Sequence, residues 1–568
     1  MRTTHCPNCN DTVRYYTDFG KNNSWLRMCT DCETDLNYNF KLCILGAGKG
    51  TRNKGVKGLH KALLPIENKP VISHVLDNFD DRVEVVIALG YEGEQIKSYL
   101  TEVYPNKKIT YVDVDNYDGS GSGPGYSLLC CKSELQQPFI YTTVDTILTD
   151  WNYDDAFTFV SENWIGASDV RVEESSNYCL IKSKDGYLED LYYGKGSSAY
   201  VGIAGVVEYD KFWSSLENKN NGHFVHKDDL HEYQADFGFR GLSQVKVVDF
   251  KWYDTGNTKS YNEVRKVFNN EVVANKSDEA LFIDNNKVVK YFSDPNKTKV
   301  RVDRLQFMNK NPLKVSQIHK NMYSYDFIEG KLLSEVNDGS VFKSFLRWYQ
   351  SDDGLDTTTF HDKDDFVKDC KIMYGDKTTT RLKKLSGGKL DNIKKINGVE
   401  VEPIMDLINK IDWTMFYLKA IPSKFHGDLQ LENIIYTNDG EFILIDWRES
   451  FGSSKEIGDV YYDLGKIWHS LPINGKSVLN EMYEINYTED EARINFYFKS
   501  NLLEFYKVFK EYCTEITYDW NTICLVGILH YLNICTLYDN FQGGRYGEFL
   551  FLLGKLMLTK HLKGDEVI

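Results

Sequence analysis

The apolar run Lys41-Leu-Cys-Ile-Leu45 stops abruptly at Gly46-Ala-Gly-Lys-Gly-Thr-Arg52, and that stop restricts the fold more than any other feature of the chain. A short apolar run bounded by glycines is suited to a buried strand followed by a tight loop and a helix. This arrangement turns backbone N–H groups toward one point, the local geometry that receives phosphate. Two glycine patterns of this kind fit badly. A dinucleotide fingerprint needs a third glycine where Thr51 stands, although Glu67 lies at a tolerable distance for the ribose acid. A P-loop needs Lys after the second glycine of its pair, where Val56 follows Gly55. The expectation is an α/β unit whose phosphate loop is of another type.

A second phosphate-handling stretch lies more than three hundred residues on: His426-Gly-Asp-Leu-Gln-Leu-Glu-Asn433, then Ile443-Leu-Ile-Asp-Trp447. At 568 residues the chain is too long for one ordinary core, so two to four domains are expected. A hydrophobic content of 42% with 26% charged residues is globular in character. The net charge of -16 argues against a general nucleic-acid binder, which needs clustered cations. It leaves room for nucleotides, which need only a few local donors. Met1 to Pro7 lacks the apolar core of a secretory signal. The apolar stretch from Thr522 to Tyr538 contains His530 and Asn533 and reads as a buried helix, so no membrane insertion is expected. Reduced cysteines and a cytoplasmic location follow as expectations.

Cys6-Pro-Asn-Cys9 and Cys29-Thr-Asp-Cys32 are two CxxC pairs separated by nineteen residues. Two such knuckles can offer four thiolates to one tetrahedral Zn²⁺. Residues 1–40 are too few to bury much core, so the metal would supply the folding energy. The segment carries four Lys/Arg and five Asp/Glu, which leaves no basic face. Docking to a protein, or assembly into a homo-oligomer, is the expected role of this zinc-ribbon-like piece.

For residues 41–265 the glycine loop continues into His60-Lys-Ala-Leu-Leu-Pro65. Later come Gly119-Ser-Gly-Ser-Gly-Pro-Gly125 with Ser127, Phe139-Ile-Tyr-Thr-Thr-Val-Asp145, Tyr200-Val-Gly-Ile-Ala-Gly205 and Trp252-Tyr-Asp254-Thr-Gly. These motifs, in this order, resemble the sugar-phosphate and phosphocholine nucleotidyltransferases. The resemblance implies a Rossmann-like mixed sheet and attack by an acceptor phosphate on the α-phosphorus of an NTP. It implies Arg52 and Lys61 on phosphate oxygens, and nucleotide contacts at Gly46, Gly48, Gly50, Thr51, Gly121, Gly123 and Ser127. Acceptor contacts are expected at Lys195 and Gly202, with Mg²⁺ on Asp145 and Asp254. Hard carboxylate oxygens suit that ion, and transfer at phosphorus depends on charge neutralisation and alignment. His-Lys-Ala62 is closer to the phosphocholine enzymes, whereas Trp-Tyr-Asp-Thr-Gly looks more like the sugar enzymes.

Residues 266–568 are expected to form a second catalytic domain. Ala280-Leu-Phe-Ile283, a turn at Asp284-Asn-Asn286 and Val288-Val-Lys-Tyr-Phe292 read as a hairpin carrying Lys290. The His-Gly-Asp motif with Asn433, and Asp446 thirteen residues later, resembles the aminoglycoside phosphotransferase and choline kinase group. That group has an α+β, protein-kinase-like fold. The resemblance implies Asp428 as the acceptor of the substrate's hydroxyl proton, Asn433 and Asp446 on Mg²⁺, and Lys290 on the ATP phosphates. Gly458-Asp-Val-Tyr-Tyr-Asp-Leu-Gly465 matches the helix after the metal loop. No glycine-rich loop precedes Lys290, and Asp303 is the nearest candidate for its acidic partner, where a Glu is usual. Trp447, Tyr461, Tyr462, Trp468, Tyr531 and Tyr538 supply rings either for core packing or for a cage around a quaternary ammonium.

The combination implies a bifunctional enzyme. The kinase would phosphorylate a small hydroxyl metabolite, with a sugar favoured over choline or ethanolamine. The nucleotidyltransferase would join that phosphate to a nucleotide. ATP and a second NTP are then its partners. Two rivals are a binding protein with degenerate domains and an active transferase carrying a kinase-like sensor.

Overall fold

A computed structural model of the chain describes residues 2–5, 12–15, 40–150, 162–218, 234–268, 277–307, 313–350, 363–538 and 541–568. Cys6, Cys9, Cys29 and Cys32 lie outside the described residues. Near them, Arg2–His5 pairs antiparallel with Thr12–Tyr15. The described residues form two compact units, one within Met1–Asn270 and Lys276–Ser293, the other from Asp294 to Ile568.

In the first unit, β1 (Lys41–Gly46), β2 (Glu84–Leu89), β3 (Ile109–Asp113) and β4 (Phe139–Thr143) run parallel in the order β3-β2-β1-β4. β1 and β2 are buried along nearly their whole length, which is why they read as continuous apolar runs and not as alternating ones. Helices α1 (Val71–Leu76), α2 (Gly93–Val103) and α3 (Pro124–Cys130) lie in the connections. This is the first half of a Rossmann-like fold, in which ligands gather beyond the carboxyl ends of the strands.

β5 (Thr146–Leu148) leaves that sheet. β6 (Trp164–Asp169), β7 (Leu180–Lys184), β8 (Tyr187–Tyr192), β9 (Ser198–Val206) and β10 (Lys246–Asp249) then extend it to nine strands, with β9 antiparallel to β4. The expected mixed sheet is therefore present. Phe139 stacks on Trp213 at 5.1 Å and meets Phe212 at 5.7 Å, closing one face of the sheet. Each such buried ring is worth roughly 2 kcal/mol. β11 (Trp252–Asp254) returns to pair antiparallel with β5, and α4 (Thr258–Phe268) follows.

The hairpin of β12 (Glu279–Asp284) and β13 (Lys287–Phe292) forms as expected. Asn285 and Asn286 sit at φ 45° and 59°, the left-handed pair a two-residue turn requires. Its contacts group the hairpin with the first unit. The buried Asp284 carboxylate explains this. It accepts hydrogen bonds from the hydroxyls of Tyr99 and Tyr104, each 3.0 Å away, and pairs with Lys69 at 3.3 Å. A buried carboxylate is costly without such partners, and residues 69–104 supply them. Tyr291 also donates to the Lys57 carbonyl at 3.0 Å.

The second unit is α+β. It begins with α5 (Pro295–Phe307) and a hairpin of β14 (Ser316–His319) and β15 (Met322–Asp326). β16 (Gly330–Leu332), α6 (Gly339–Gln350) and α7 (Lys377–Leu382) come next. β17 (Pro422–Lys424), β18 (Ile434–Thr437), β19 (Phe442–Leu444) and β20 (Ile457–Asp459) frame the central motifs, with β16-β18-β19 in one sheet and β17 paired to β20. Helices α8 (Val460–Ser470), α9 (Ser500–Glu515), α10 (Trp520–Ile534) and α11 (Arg545–Lys563) complete the unit. The α10 segment is long and apolar enough to cross a membrane by length and composition, yet it is a core helix buried from Thr522 to Asn533. A Cβ at Gly527 would lie 2.2 Å from the Trp468 ring, so α8 and α10 can cross this closely only with glycine there. The eight cysteines within the described residues are free thiols.

Two candidate active sites

The first site forms where β4 ends and β11 returns. The β5–β11 ladder places Asp254 opposite Thr146, and the Thr255 N–H donates to the Asp145 carbonyl at 3.0 Å. Both carboxylates converge on Gly256. A Cβ there would lie 3.0 Å from Asp254 Oδ1 and 3.1 Å from Asp145 Oδ2, so the two acids face each other across a gap one methyl would fill. Lys61 Nζ donates to Asp145 Oδ2 at 2.8 Å. Burial would lift the Asp145 pKa, but the Lys61 charge prevails and holds it down to about 2, with Arg52 adding to the effect. Asp254 is shifted the other way, raised by burial and by the neighbouring Asp145. Its partners are neutral donors: the Gly256 N–H at 2.7 Å, the Ser260 hydroxyl at 3.0 Å and the Tyr178 hydroxyl at 3.3 Å.

The glycine loop lies over this pair. Gly50 has φ 62°, and a Cβ on it would come within 3.0 Å of the Lys61 stem, so the loop rests on the lysine that binds Asp145. Gly46 is buried, whereas Gly48, Thr51 and Arg52 are exposed, as a loop awaiting an anion requires. His60 is buried and accepts from the Ala62 N–H at 3.1 Å through Nδ1. Burial, with the Lys61 charge, lowers its pKa to about 3, so the ring is neutral. Lys49 pairs with Asp118 and ties this loop to the second glycine loop. There Gly121 and Gly123 take left-handed φ values of 82° and 138°, and Ser127 Oγ donates to the Gly123 carbonyl at 3.2 Å. Gly202 has φ 82° and lies against Thr143, whose hydroxyl also bonds Asp145. Lys195 stands exposed in the turn before β9 and makes no hydrogen bond to either carboxylate.

The second site is knotted together by backbone. Ile445 N–H donates to the Asn433 carbonyl at 3.0 Å, Arg448 N–H to the His426 carbonyl at 3.0 Å, and His426 Nε2 bonds the Ile445 carbonyl at 2.8 Å. These ties bring Asp428, Asn433 and Asp446 into one locality. Asn433 Nδ2 donates to the Asp428 carbonyl at 2.7 Å. Asp446 adopts φ 66°, a left-handed conformation unusual outside glycine and concentrated at functional positions. Lys466 Nζ lies 2.9 Å from Asp428 Oδ1. Against the burial that would raise it, Lys466 holds the Asp428 carboxyl well below the usual range. Arg301 binds Asp446 Oδ1 at 2.6 Å and Glu449 Oε1 at 2.8 Å. Beneath the loop, Asp463 receives the N–H groups of His426 at 2.6 Å and Gly427 at 2.7 Å, with its pKa raised by burial to about 6.

Lys290 is buried on β13. Asp303 lies on α5 between Arg301 and Arg304, and these two arginines, not the acid, reach the motifs. Arg304 donates to the Arg448 carbonyl at 2.7 Å and to the Phe425 carbonyl. The aromatic set is mainly core. Trp447 packs on His426 at 4.5 Å, Tyr531 on His469 at 4.5 Å, and Trp468 against α10, while Tyr461 is buried and Tyr538 half-buried. Sequence reasoning missed Tyr178, Ser260, Arg301 and Lys466. Only Ser260, close behind the Trp-Tyr-Asp254 segment, stood where a motif could have flagged it.

Residues 42–157 match the MobA-like NTP transferase domain. The Bifunctional protein GlmU of Methanococcus maripaludis (strain C5) is 29% identical over 141 residues, 24% of this chain and 31% of that protein. GlmU of Psychrobacter cryohalolentis is 21% identical over 278 residues, 47% of this chain and 58% of that protein. The chain thus spans about a third to three-fifths of the length of these curated relatives. Among solved structures, a UDP-glucose pyrophosphorylase complexed with UDP-glucose is 19% identical with a TM-score of 0.33, over 40% of this chain and 98% of that one. A CTP:phosphocholine cytidylyltransferase from Streptococcus pneumoniae is 21% identical with a TM-score of 0.34, over 41% of this chain and 100% of that one.

Proposed function

We propose that the first unit transfers a nucleotidyl group from an NTP to a phosphorylated acceptor, and that the second unit makes that acceptor by phosphorylating a small hydroxyl metabolite with ATP. The observation that carries the first half is the convergence of Asp145 and Asp254 on Gly256, beside Lys61. Mg²⁺ fits this donor set, because it is usually held by one or two carboxylates together with substrate phosphates. The bound ion would neutralise charge on the phosphates. Lys61 and Arg52 would hold phosphate oxygens, the loop from Gly46 to Thr51 would offer backbone N–H groups, and Gly121, Gly123 and Ser127 would line the base side. Gly202, whose missing Cβ opens space against Thr143, would face the acceptor, with Lys195 closing over its phosphate.

In the second unit, Asp428 would accept the hydroxyl proton, and Asn433 and Asp446 would hold Mg²⁺. Support comes from the backbone knot joining these residues and from the left-handed Asp446. For Lys290 the support is the sequence pattern alone. The product would be an NDP-linked precursor, a sugar nucleotide by preference, made in the cytoplasm for surface glycan or lipid synthesis. Zinc at Cys6, Cys9, Cys29 and Cys32 is a separate proposal, tested by metal analysis of the purified chain against a Cys6→Ser variant.

The test is incubation with Mg²⁺, ATP, CTP, UTP, GTP and a pool of sugars, choline and ethanolamine, read by mass spectrometry. An NDP conjugate of an unphosphorylated input is expected. Asp145→Asn should stop at the phosphorylated intermediate, whereas Asp428→Asn should make conjugate only from pre-phosphorylated acceptor. Conjugate formation undiminished in both variants would overturn the assignment.

A further inference from the structure

The acid motifs of the second unit are flanked by a concentration of positive charge that none of the roles above uses. Lys377 and Arg381 stand one turn apart on α7, Lys466 lies one turn beyond Tyr462 on α8, and Arg448 follows the Asp446 loop. Lys377 and Arg448 lie against the buried Tyr462, and the charges of Lys466 and Arg381 also act on it or feel it. Lys377 Nζ lies 3.4 Å from its hydroxyl and 5.8 Å from the ring centre, and the Arg448 guanidinium lies 6.0 Å from the ring centre. Arg381 is fixed by donating to the Asn533 carbonyl at 2.7 Å. Among the described residues, the carboxylate ion-paired to any of the four is Asp428, bound to Lys466 at 2.9 Å.

The nearby acids are spent elsewhere. Asp459 accepts the Tyr374 hydroxyl at 2.7 Å and the Ile421 N–H at 3.0 Å. Asp463 is occupied by His426, Gly427 and Tyr349, and Glu449 by Arg301. Lys377, Arg381 and Arg448 have no ion pair with a carboxylate among the described residues. Like charges gathered at a part-buried place are unfavourable unless something anionic joins them. The cluster acts on its own members: burial first, then Arg448, Arg381 and Lys466, lower the Lys377 pKa. Arg448, Lys377 and Lys466 together outweigh burial at Tyr462 and bring its phenol down to about 8. A π-helical turn, Lys371–Asp376, ends immediately before Lys377 and sets the phase in which α7 presents its two cations. Such turns are rare and recur at functional sites.

We propose that the metabolite phosphorylated in the second unit is itself an anion, a hydroxy compound bearing a carboxylate or a phosphate, which Lys377, Arg381 and Arg448 hold while its hydroxyl faces Asp428. This rests on the kinase reading of the unit. In the reaction the acceptor oxygen bonds to the γ-phosphorus of ATP, the bond from that phosphorus to the ADP oxygen breaks, and the hydroxyl proton passes to Asp428 and then to water. A quaternary ammonium acceptor is excluded on this view, because four cations would repel it.

The full chain with Mg²⁺ and ATP is to be assayed with gluconate and glucuronate as carboxylate arms, glucose 6-phosphate and glycerol 3-phosphate as phosphate arms, and glucose, glycerol and choline as uncharged or cationic controls. The expected result is kcat/KM at least about tenfold higher for one anionic arm than for its uncharged counterpart. Lys377→Met and Arg381→Met should raise KM for that anion about tenfold or more while leaving KM for ATP unchanged. Preference for glucose, glycerol or choline would overturn the inference and leave the kinase reading standing. A rise in KM for ATP would also overturn it, since the cations would then belong to the nucleotide. If no acceptor is phosphorylated, the kinase reading falls, and calorimetric binding of the same anions decides the remainder. Binding lost in Lys377→Met upholds the anion site, and no binding to the wild type overturns it.

Discussion

The two acid centres are built on opposite electrostatic plans. In the first unit Asp145 has a cation, Lys61 at 2.8 Å, while Asp254 beside it is surrounded by neutral donors and has its pKa raised. In the second unit each acid has its own cation: Lys466 on Asp428 and Arg301 on Asp446. The first centre therefore carries uncompensated negative charge between two carboxylates, a place a divalent cation would neutralise. The second is already balanced at both acids, so a metal arriving at Asp446 must compete with a guanidinium. Two centres built on paired carboxylates need not share a charge design.

The comparison breaks most severely if the first centre tolerates loss of either acid. Asp254→Asn and Asp145→Asn should each lower nucleotidyl transfer by about 10³-fold or more, with ATP-dependent phosphorylation by the same protein unchanged. The check is a paired assay of pyrophosphate and ADP release on one preparation. Equal loss of both activities would mean that the acids support folding of the whole chain and not one reaction.

A smaller effect sharpens the balance at Asp446. Arg301→Met removes the cation that binds both Asp446 and Glu449. It should lower the Mg²⁺ concentration for half-maximal phosphorylation several-fold, because the metal no longer displaces a guanidinium, and leave the Mg²⁺ requirement for nucleotidyl transfer as it was. Titration of both reactions with Mg²⁺ measures it. A raised requirement at the second site would show that Arg301 orients Asp446 for the metal. A cost in stability is expected as well, because truncating one partner of a part-buried ion pair strands the other.

What could be read in advance follows the same division. The glycine loop, Asp145 and Asp254 were legible because strand, loop and acid occur in short fixed patterns, and β1 and β4 are apolar enough to announce themselves. The hairpin of β12 and β13 was legible as a hairpin, but its anchor at Asp284 was not. The alternation of Ala280 to Phe292 fixes pairing within the ladder, whereas the attachment of Asp284 to Tyr99 and Tyr104 spans some 180 residues and leaves no local trace. Tyr178 reaches Asp254 from 76 residues away for the same reason. No motif marks Lys377 and Arg381, and packing of α7 against α10, which in turn packs on α8, brings them to Tyr462. Lys466 sits in Asp463-Leu-Gly-Lys-Ile-Trp-His469, where a lysine among apolar residues was the available signal.

The smallest effect tests how dry the floor of the second site is. His469 is fully buried beneath Lys466, and burial, reinforced by that charge, lowers its pKa to about 3. The sign follows from proton binding: below the unfolded value of about 6.5 the unfolded chain takes up a proton that the native ring refuses, so stability is lost as pH falls from 6.5 toward 3. Each pH unit in that window removes up to about 1.4 kcal/mol through this residue. Asp459 and Asp463, raised by burial to about 6, act in the opposite direction over part of the range, so the raw pH profile mixes several groups. The difference between wild type and His469→Asn isolates one. Denaturant unfolding of both proteins at pH 6.5, 5.5 and 4.5, followed by tryptophan fluorescence, should show a gap that changes by about 1 kcal/mol over the first step and approaches about 1.4 kcal/mol over the second, with the wild type losing more. A gap that stays constant would mean that water reaches His469, and that the charge cluster above it is less sheltered than its burial implies.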